Sequence, residues 1–299
     1  MKETLFSFLR GINNCLMKKI STLALSLLLA SAIFAQKRPY PTFDDAEKFK
    51  KSVTCIVRED DPFSFYNAEI KAAVDKYWKA TPVKYITTEE FNVMRNDPAY
   101  SFLVLTISNF SNDKSGSTYD FLNLLLGADV DELDQLPEFC AIPLCFSGAP
   151  EEEYSYKLGL IIRFMEYHAD LVMKNPTLSA LRYLKYYNKN VSEIKDKTIL
   201  VRQSDLAPEI DTPEKIASYY PYKVRIVDEE EIIQAIEEKQ KDVLIVHKVG
   251  PDGVNQTGTC MKTLIGTDDA IMYYYDDHLV DRRNASGLLI SDLKRLARF

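Results

Sequence analysis

Histidine, glycine and tryptophan are scarce, at 3, 10 and 1 of 299 residues. The chain has no phosphate-cradling G-x-x-x-x-G-K-[ST] loop, no G-x-S-x-G nucleophile elbow and no H-E-x-x-H helix. Gly250, Gly253 and Gly258 are the nearest approach to a dinucleotide fingerprint. They follow one expected strand and precede another, whereas that fingerprint must open a helix. They read as turn residues, and no cofactor is implied.

Cysteine is sparse and unpatterned. With no C-x-x-C anywhere, a thioredoxin-like reading of the element order loses its active site. Only Cys55, Cys140, Cys145 and Cys260 lie beyond the first 35 residues, too few for a disulfide scaffold in a chain long enough to bury ordinary cores. Cys140 and Cys145 are five apart on an expected strand, which places them on opposite faces and unable to bond. All four are expected to be buried free thiols.

Long apolar runs are missing except at the front. Residues 17–35 read as a short basic region, about a dozen apolar residues and a small residue, Ala35, before Gln36. That is the pattern of a secretory signal peptide, with Met17 as an alternative start, and it is short of the ~20 residues a membrane span needs. Residues 1–35 are thus expected to be removed, leaving an exported soluble protein, periplasmic or extracellular in a bacterium, with no transmembrane span. Cleavage would take away four basic side chains and one acid, moving the net charge from -7 to -10. So acidic a chain, without a basic stripe interleaved with aromatics, excludes nucleic acid as a partner.

What is present is a repeated order of elements. Strands are expected at Val53–Arg58 and Thr198–Arg202, each β-branched and short. Helices with acid-and-proline starts follow, at Asp61-Pro62 and Asp211-Thr212-Pro213. Further strands, Pro82–Ile86 and Pro221–Ile226, lead into capped helices at Thr87/Glu90 and Asp228/Glu231. Apolar strands come next at Phe102–Ile107 and Val243–Val249. Strands Phe121–Leu126 and Phe139–Phe146, with Pro143 marking an edge or bulge, correspond to a hairpin of Cys260–Ile265 and Ala270–Tyr275. Each unit closes with a helix, 152–174 and 286–298.

The fold class is therefore α/β: two tandem β-α-β-α-β-β-β-α units with mixed sheets, read as a duplication. The units span 36–175 and 198–299, joined at 176–197 by a helix (Leu178–Tyr187) and a polar linker. The order of elements resembles the small α/β modules of envelope proteins such as the amino-terminal domain of TolB-type translocation factors. That likeness is one of topology alone, and it transfers no functional residue.

The histidines divide by position. His168 falls on a helical stripe with Met165 and Val172 and reads as a core residue satisfied by a hydrogen bond. His247, Asp276, Asp277 and His278 form the sharpest chemical hypothesis, two imidazoles and carboxylates that suit a transition metal if their strands are neighbours. The alternative makes Asp276-Asp277-His278 a polar strand exit. Tyrosine, at 18 residues, clusters at Tyr183-Tyr186-Tyr187, Tyr219-Tyr220-Tyr222 and Tyr273-Tyr274-Tyr275, a residue type that serves both cores and binding surfaces. The lack of a catalytic constellation favours a non-catalytic binding or assembly module for an envelope protein or other envelope component. The competing expectation is an exported hydrolase whose site is built from dispersed carboxylates and histidines, with or without a metal.

Overall fold

The computed structural model describes residues 40–61, 63–110, 113–180, 183–252 and 256–298, less the side chains of residues 179, 180 and 183. The leader assigned to residues 1–35 lies outside the described residues, as does Gly253.

The first half runs β1 (Val53–Val57), helix Phe65–Tyr77, β2 (Val83–Ile86), helix Thr88–Met94, β3 (Tyr100–Asn109), β4 (Thr118–Leu126), β5 (Glu138–Phe146) and the long helix Leu158–Lys174. The second half runs β6 (Thr198–Val201), helix Pro213–Ala217, β7 (Val224–Ile226), helix Glu229–Glu237, β8 (Val243–Val249), β9 (Gly258–Gly266), β10 (Met272–Val280) and helix Ile290–Leu296. The sheets are ordered β2-β1-β3-β4-β5 and β7-β6-β8-β9-β10, the same arrangement strand for strand. In each, the first three strands pair in parallel and the last two antiparallel. The α/β class and the two similar mixed-sheet units are as expected, and the shared order is compatible with a duplication. Among the described residues no helix is long and apolar enough to cross a membrane.

Capping chemistry sets the helix starts, with two shifts from expectation. Thr87 and Glu90 form a complete capping box, and Asp228 accepts from the Glu231 N–H. Helix Phe65–Tyr77 is capped by Ser64 rather than Asp61, and helix Pro213–Ala217 by Thr212 rather than Asp211. A helix the sequence reading did not anticipate, Phe43–Phe49, carries its own box between Thr42 and Asp45. The long helix begins only at Leu158, because 151–153 and 155–157 are separate 3-10 turns.

That helix buries Leu158, Leu160, Ile161, Ile162, Phe164, Met165, His168, Ala169 and Val172, too broad a set for one amphipathic stripe. The breadth follows from its place in one continuous apolar core, which joins Leu122 and Ile142 of the first sheet to Ile245, Met261 and Ile265 of the second. Each such side chain contributes about 1.5–3 kcal/mol by leaving water. A second core, including Val201, Leu244, Leu264, Tyr274 and Leu293, fills the opposite face of the second sheet.

Polar bonds stitch the halves together. The Arg163 guanidinium donates to the carbonyls of Thr267 (2.5 Å) and Asp268 (2.7 Å) in the β9–β10 turn. The Thr259 N–H donates to the Tyr119 hydroxyl at 2.5 Å, and the Ser117 hydroxyl to the Thr257 carbonyl at 2.8 Å.

The stretch expected as a helix and polar linker is instead a 3-10 turn at Pro176–Ala180, a short helix Tyr183–Tyr186 and a 3-10 segment Tyr187–Asp196. It covers the open edge of β10. Asn188 Nδ2 donates to the Tyr275 carbonyl (2.9 Å), its Oδ1 accepts from the Tyr275 N–H (2.7 Å), and Asn190 Nδ2 donates to the Met272 carbonyl (2.9 Å). Two asparagine amides thus do the work of a neighbouring strand on an edge that would otherwise be open to pairing. Asn188→Ala should cost about 2 kcal/mol in urea unfolding, the scale of leaving backbone groups without partners. A loss under about 0.5 kcal/mol, the level of an ordinary surface change, would remove this role.

The four described cysteines are buried and free. The expectation that Cys140 and Cys145 face opposite ways is overturned. Their partners on β4 are Leu124 and Asp120, four apart and hence on one face, because the register skips Leu144. A bulge adds a residue to one strand and so reverses the alternation beyond it.

Candidate functional site

The four residues proposed from the sequence as metal ligands are divided by the second sheet. His247 pairs with Thr263 on β9, and Thr263 with Tyr275 on β10, which places His247, Tyr275 and Asp277 on one face. Asp276 and His278 point to the other. The Asp-Asp-His run is not a strand exit, since β10 continues to Val280.

Each member has its own partner. His247 Nε2 stands 2.9 Å from the Pro143 carbonyl on β5. Asp276 pairs with Arg295 at 2.9 Å and Asp277 with Lys185 at 2.8 Å. His278 Nε2 faces the Ala285 carbonyl at 2.9 Å, so its Nδ1 is the acceptor that meets the Lys262 ammonium at 3.0 Å. Among the described residues no three His, Cys, Asp or Glu side chains are grouped so as to hold a metal ion. His168 is the core histidine its position implied, with Nδ1 at 2.7 Å from the Tyr187 hydroxyl.

Open α/β sheets place ligands at the carboxyl ends of their strands, where the strand order reverses. In the second half that point lies between β6 and β8, and the chain's own charges fill it. The Asp205 carboxylate is fully buried. Around it stand Arg202 Nε at 3.5 Å, Lys157 Nζ at 3.8 Å and Lys248 Nζ at 3.9 Å. Lys157 comes from the first half, and burial brings its pKa down to about 8 against the opposing pull of Asp205. The Tyr156 ring lies beneath both Lys157 and Arg202. This cluster ties the halves together and closes the position where this fold class commonly binds.

A different opening remains. A cleft of 140 Å³ lies where the long helix, the edge-covering segment and the start of β10 meet. Tyr187 and Tyr273, 1% and 3% exposed, are its most deeply buried members. The half-buried Tyr167 and Tyr186, with Leu171 and Ile271, complete the walls, and Lys189, Asn190 and Glu193 stand at the rim.

Its polar groups differ in how far they are committed. The Tyr187 hydroxyl engages His168, and the Tyr273 hydroxyl donates to Asp269. Burial pushes the Tyr187 phenol well above its ordinary pKa, and burial together with Asp269 does the same for Tyr273. At the rim the Lys189 ammonium sits 3.8 Å from the centroid of the Tyr186 ring and donates to its hydroxyl. Neither Lys189 nor Glu193 makes an ion pair among the described residues.

Two of the tyrosine clusters noted in the sequence therefore meet in space. No spacing rule joins them, because Tyr273 reaches the cleft through an irregularity: the β9–β10 register runs from Met272 directly to Tyr274, leaving Tyr273 as a bulge. Tyr273 and Tyr274 consequently share one core and Tyr275 joins the other, where strict alternation would separate Tyr273 from Tyr274. Tyr167, on the long helix, carried no signal beyond helical position. Comparison of the chain with protein-family models, with curated proteins and with solved structures finds no match.

Proposed function

We propose that the chain is an exported cell-envelope protein that acts as a non-catalytic binding module, with the tyrosine-lined cleft as its docking site. The observation that carries this reading is the cleft itself: four tyrosines from separate elements meet beside exposed Lys189 and Glu193, neither of which makes an ion pair among the described residues. Tyrosine combines a large apolar ring with a polar tip, which is why it is enriched where proteins bind. The leader at residues 17–35 supports export. The separation of His247 from His278 and the self-filled switch point of the second sheet support this reading over the hydrolase alternative.

Capture of envelope components by the tagged chain tests the reading. Wild-type chain should retain a reproducible partner or ligand, and the Tyr167→Ala, Tyr186→Ala double variant should lose at least about 90% of it, the scale of removing two aromatic anchors. Equal retention by both forms would place binding elsewhere. Recovery of the full-length, unprocessed chain from the cytosol would end the export reading.

A further inference from the structure

Among the described residues the Lys189 ammonium has no acidic partner. Its partners are the face and the hydroxyl of Tyr186. A second lysine, Lys197, lies 4.9 Å from the Tyr273 ring centroid. Two rings that line the cleft thus already lie against ammonium groups supplied by the chain, that of Lys197 being also paired with Asp242 at 3.3 Å. Glu193, exposed at the same rim and without a cationic partner among the described residues, supplies a negative charge that reaches Tyr273 and helps to hold its phenol protonated.

The hydroxyls of Tyr187 and Tyr273 are engaged by His168 and Asp269. They are therefore poorly placed to read the hydroxyl pattern of a sugar, and what these residues offer a ligand is ring surface. Ring surface, an uncompensated carboxylate and partial exclusion of water are the conditions under which substituted ammonium groups bind aromatic sites. The chain's acidic surface, at a formal net charge of -7, also favours the approach of a cation.

We propose that the cleft recognises a substituted ammonium group, and that Lys189 is a built-in stand-in which the ligand displaces from Tyr186. The proposal rests on the cleft being the binding site. The displaced Lys189 side chain swings into water at little cost, since it is exposed and gives up no ion pair. The ligand's cation then takes its place among Tyr167, Tyr186 and Tyr273, with Glu193 as counter-charge.

Calorimetric titration of the full chain with choline, and with its uncharged isostere 3,3-dimethyl-1-butanol, separates charge recognition from apolar filling. Choline should bind roughly tenfold more tightly than the isostere, the scale of a partly desolvated cation–π contact. Lys189→Met should tighten choline several-fold by removing the competing ammonium. Tyr186→Leu should weaken it roughly tenfold, and Glu193→Gln should weaken it less.

Equal affinity for the two probes would overturn the ammonium reading while leaving an apolar docking cleft. Failure of choline to bind both the wild type and Lys189→Met would overturn it as well, since the second variant does not depend on the tyrosines being replaceable. If the Tyr167/Tyr186 variant also kept its captured partner, the docking site itself would be wrong. Those outcomes are distinct, so the ligand class can fail without the site failing.

Discussion

Asp292→Ala is expected to lower the unfolding free energy by about 3–5 kcal/mol, the range for removing one member of a buried ion pair. Asp292 and Lys262 are 0% and 1% exposed at their side chains, with Nζ 2.8 Å from Oδ2. The same carboxylate accepts from the Tyr274 hydroxyl at 2.6 Å and from the Leu289 N–H at 2.7 Å, where it completes the start of helix Ile290–Leu296. Alanine would strand an ammonium whose remaining partner is the neutral His278, orphan a phenol and uncap a helix. Lys262→Met on top of Asp292→Ala should recover part of the loss, because the charge left without a partner is then gone. Urea unfolding of the two variants measures this. A cost below about 1 kcal/mol for Asp292→Ala, or a double variant weaker than the single, would show that the pair is not what secures this helix to the second sheet.

Acidification from pH 7 to pH 5 is expected to remove about 4 kcal/mol of stability through two histidines, roughly 2 kcal/mol each. Burial brings His168 and His247 down to about 3, with the Lys157 charge assisting at His247. In the unfolded chain both return to about 6.5. Between those values the unfolded chain binds protons that the folded chain refuses, so stability rises with pH across the window and is complete only above it. His278, lowered by burial and by Lys262, adds a contribution of the same sign. Burial is the main cause at His247; of the charged groups facing it, Lys157 and Arg202 act in the same direction and Asp205 opposes them, as does the Pro143 carbonyl. Urea titrations at pH 7, 6 and 5 would measure the slope, and His168→Gln with His247→Gln should flatten it. A slope that survives undiminished after both substitutions would assign the acid sensitivity to His278 and the carboxylates instead.

Much of the secondary structure was written locally. Thr87 with Glu90, Asp228 with Glu231, and the apolar runs that became β3 and β8 all act on neighbours within a few positions, so residue type and spacing suffice to read them. The same holds for the core placement of His168 and for the edge-or-bulge role of Pro143. Helix ends were less legible. Ser64 and Thr212 capped in place of nearby aspartates because several side chains near each start have the right oxygen, and only backbone direction selects among them.

Two bulges, at Leu144 and Tyr273, set side-chain faces that residue spacing does not give, for a physical reason. A strand's faces follow from an alternation of period two, and one skipped residue inverts everything beyond it. Leu144 does this to Cys145, and Tyr273 does it to its own ring. Neither residue type announces a bulge, because a bulge belongs to the pairing of two strands, β5 with β4 and β10 with β9, rather than to one residue's neighbours in sequence.

The amino-acid order alone determined the class of fold, the main succession of strands and helices, the negative net charge and the absence of the common reaction motifs, since each of these depends on residue type and near-neighbour spacing. Tertiary structure decided the rest. It set His247 and His278 on opposite faces of one sheet, gathered Lys157, Arg202 and Lys248 around Asp205, made a linker into the cover of an edge strand, and brought Tyr167, Tyr186, Tyr187 and Tyr273 to one cleft. Those outcomes depend on which faces meet across the halves, and that is fixed by the shared packing of two sheets and a long helix, which no local stretch of chain encodes.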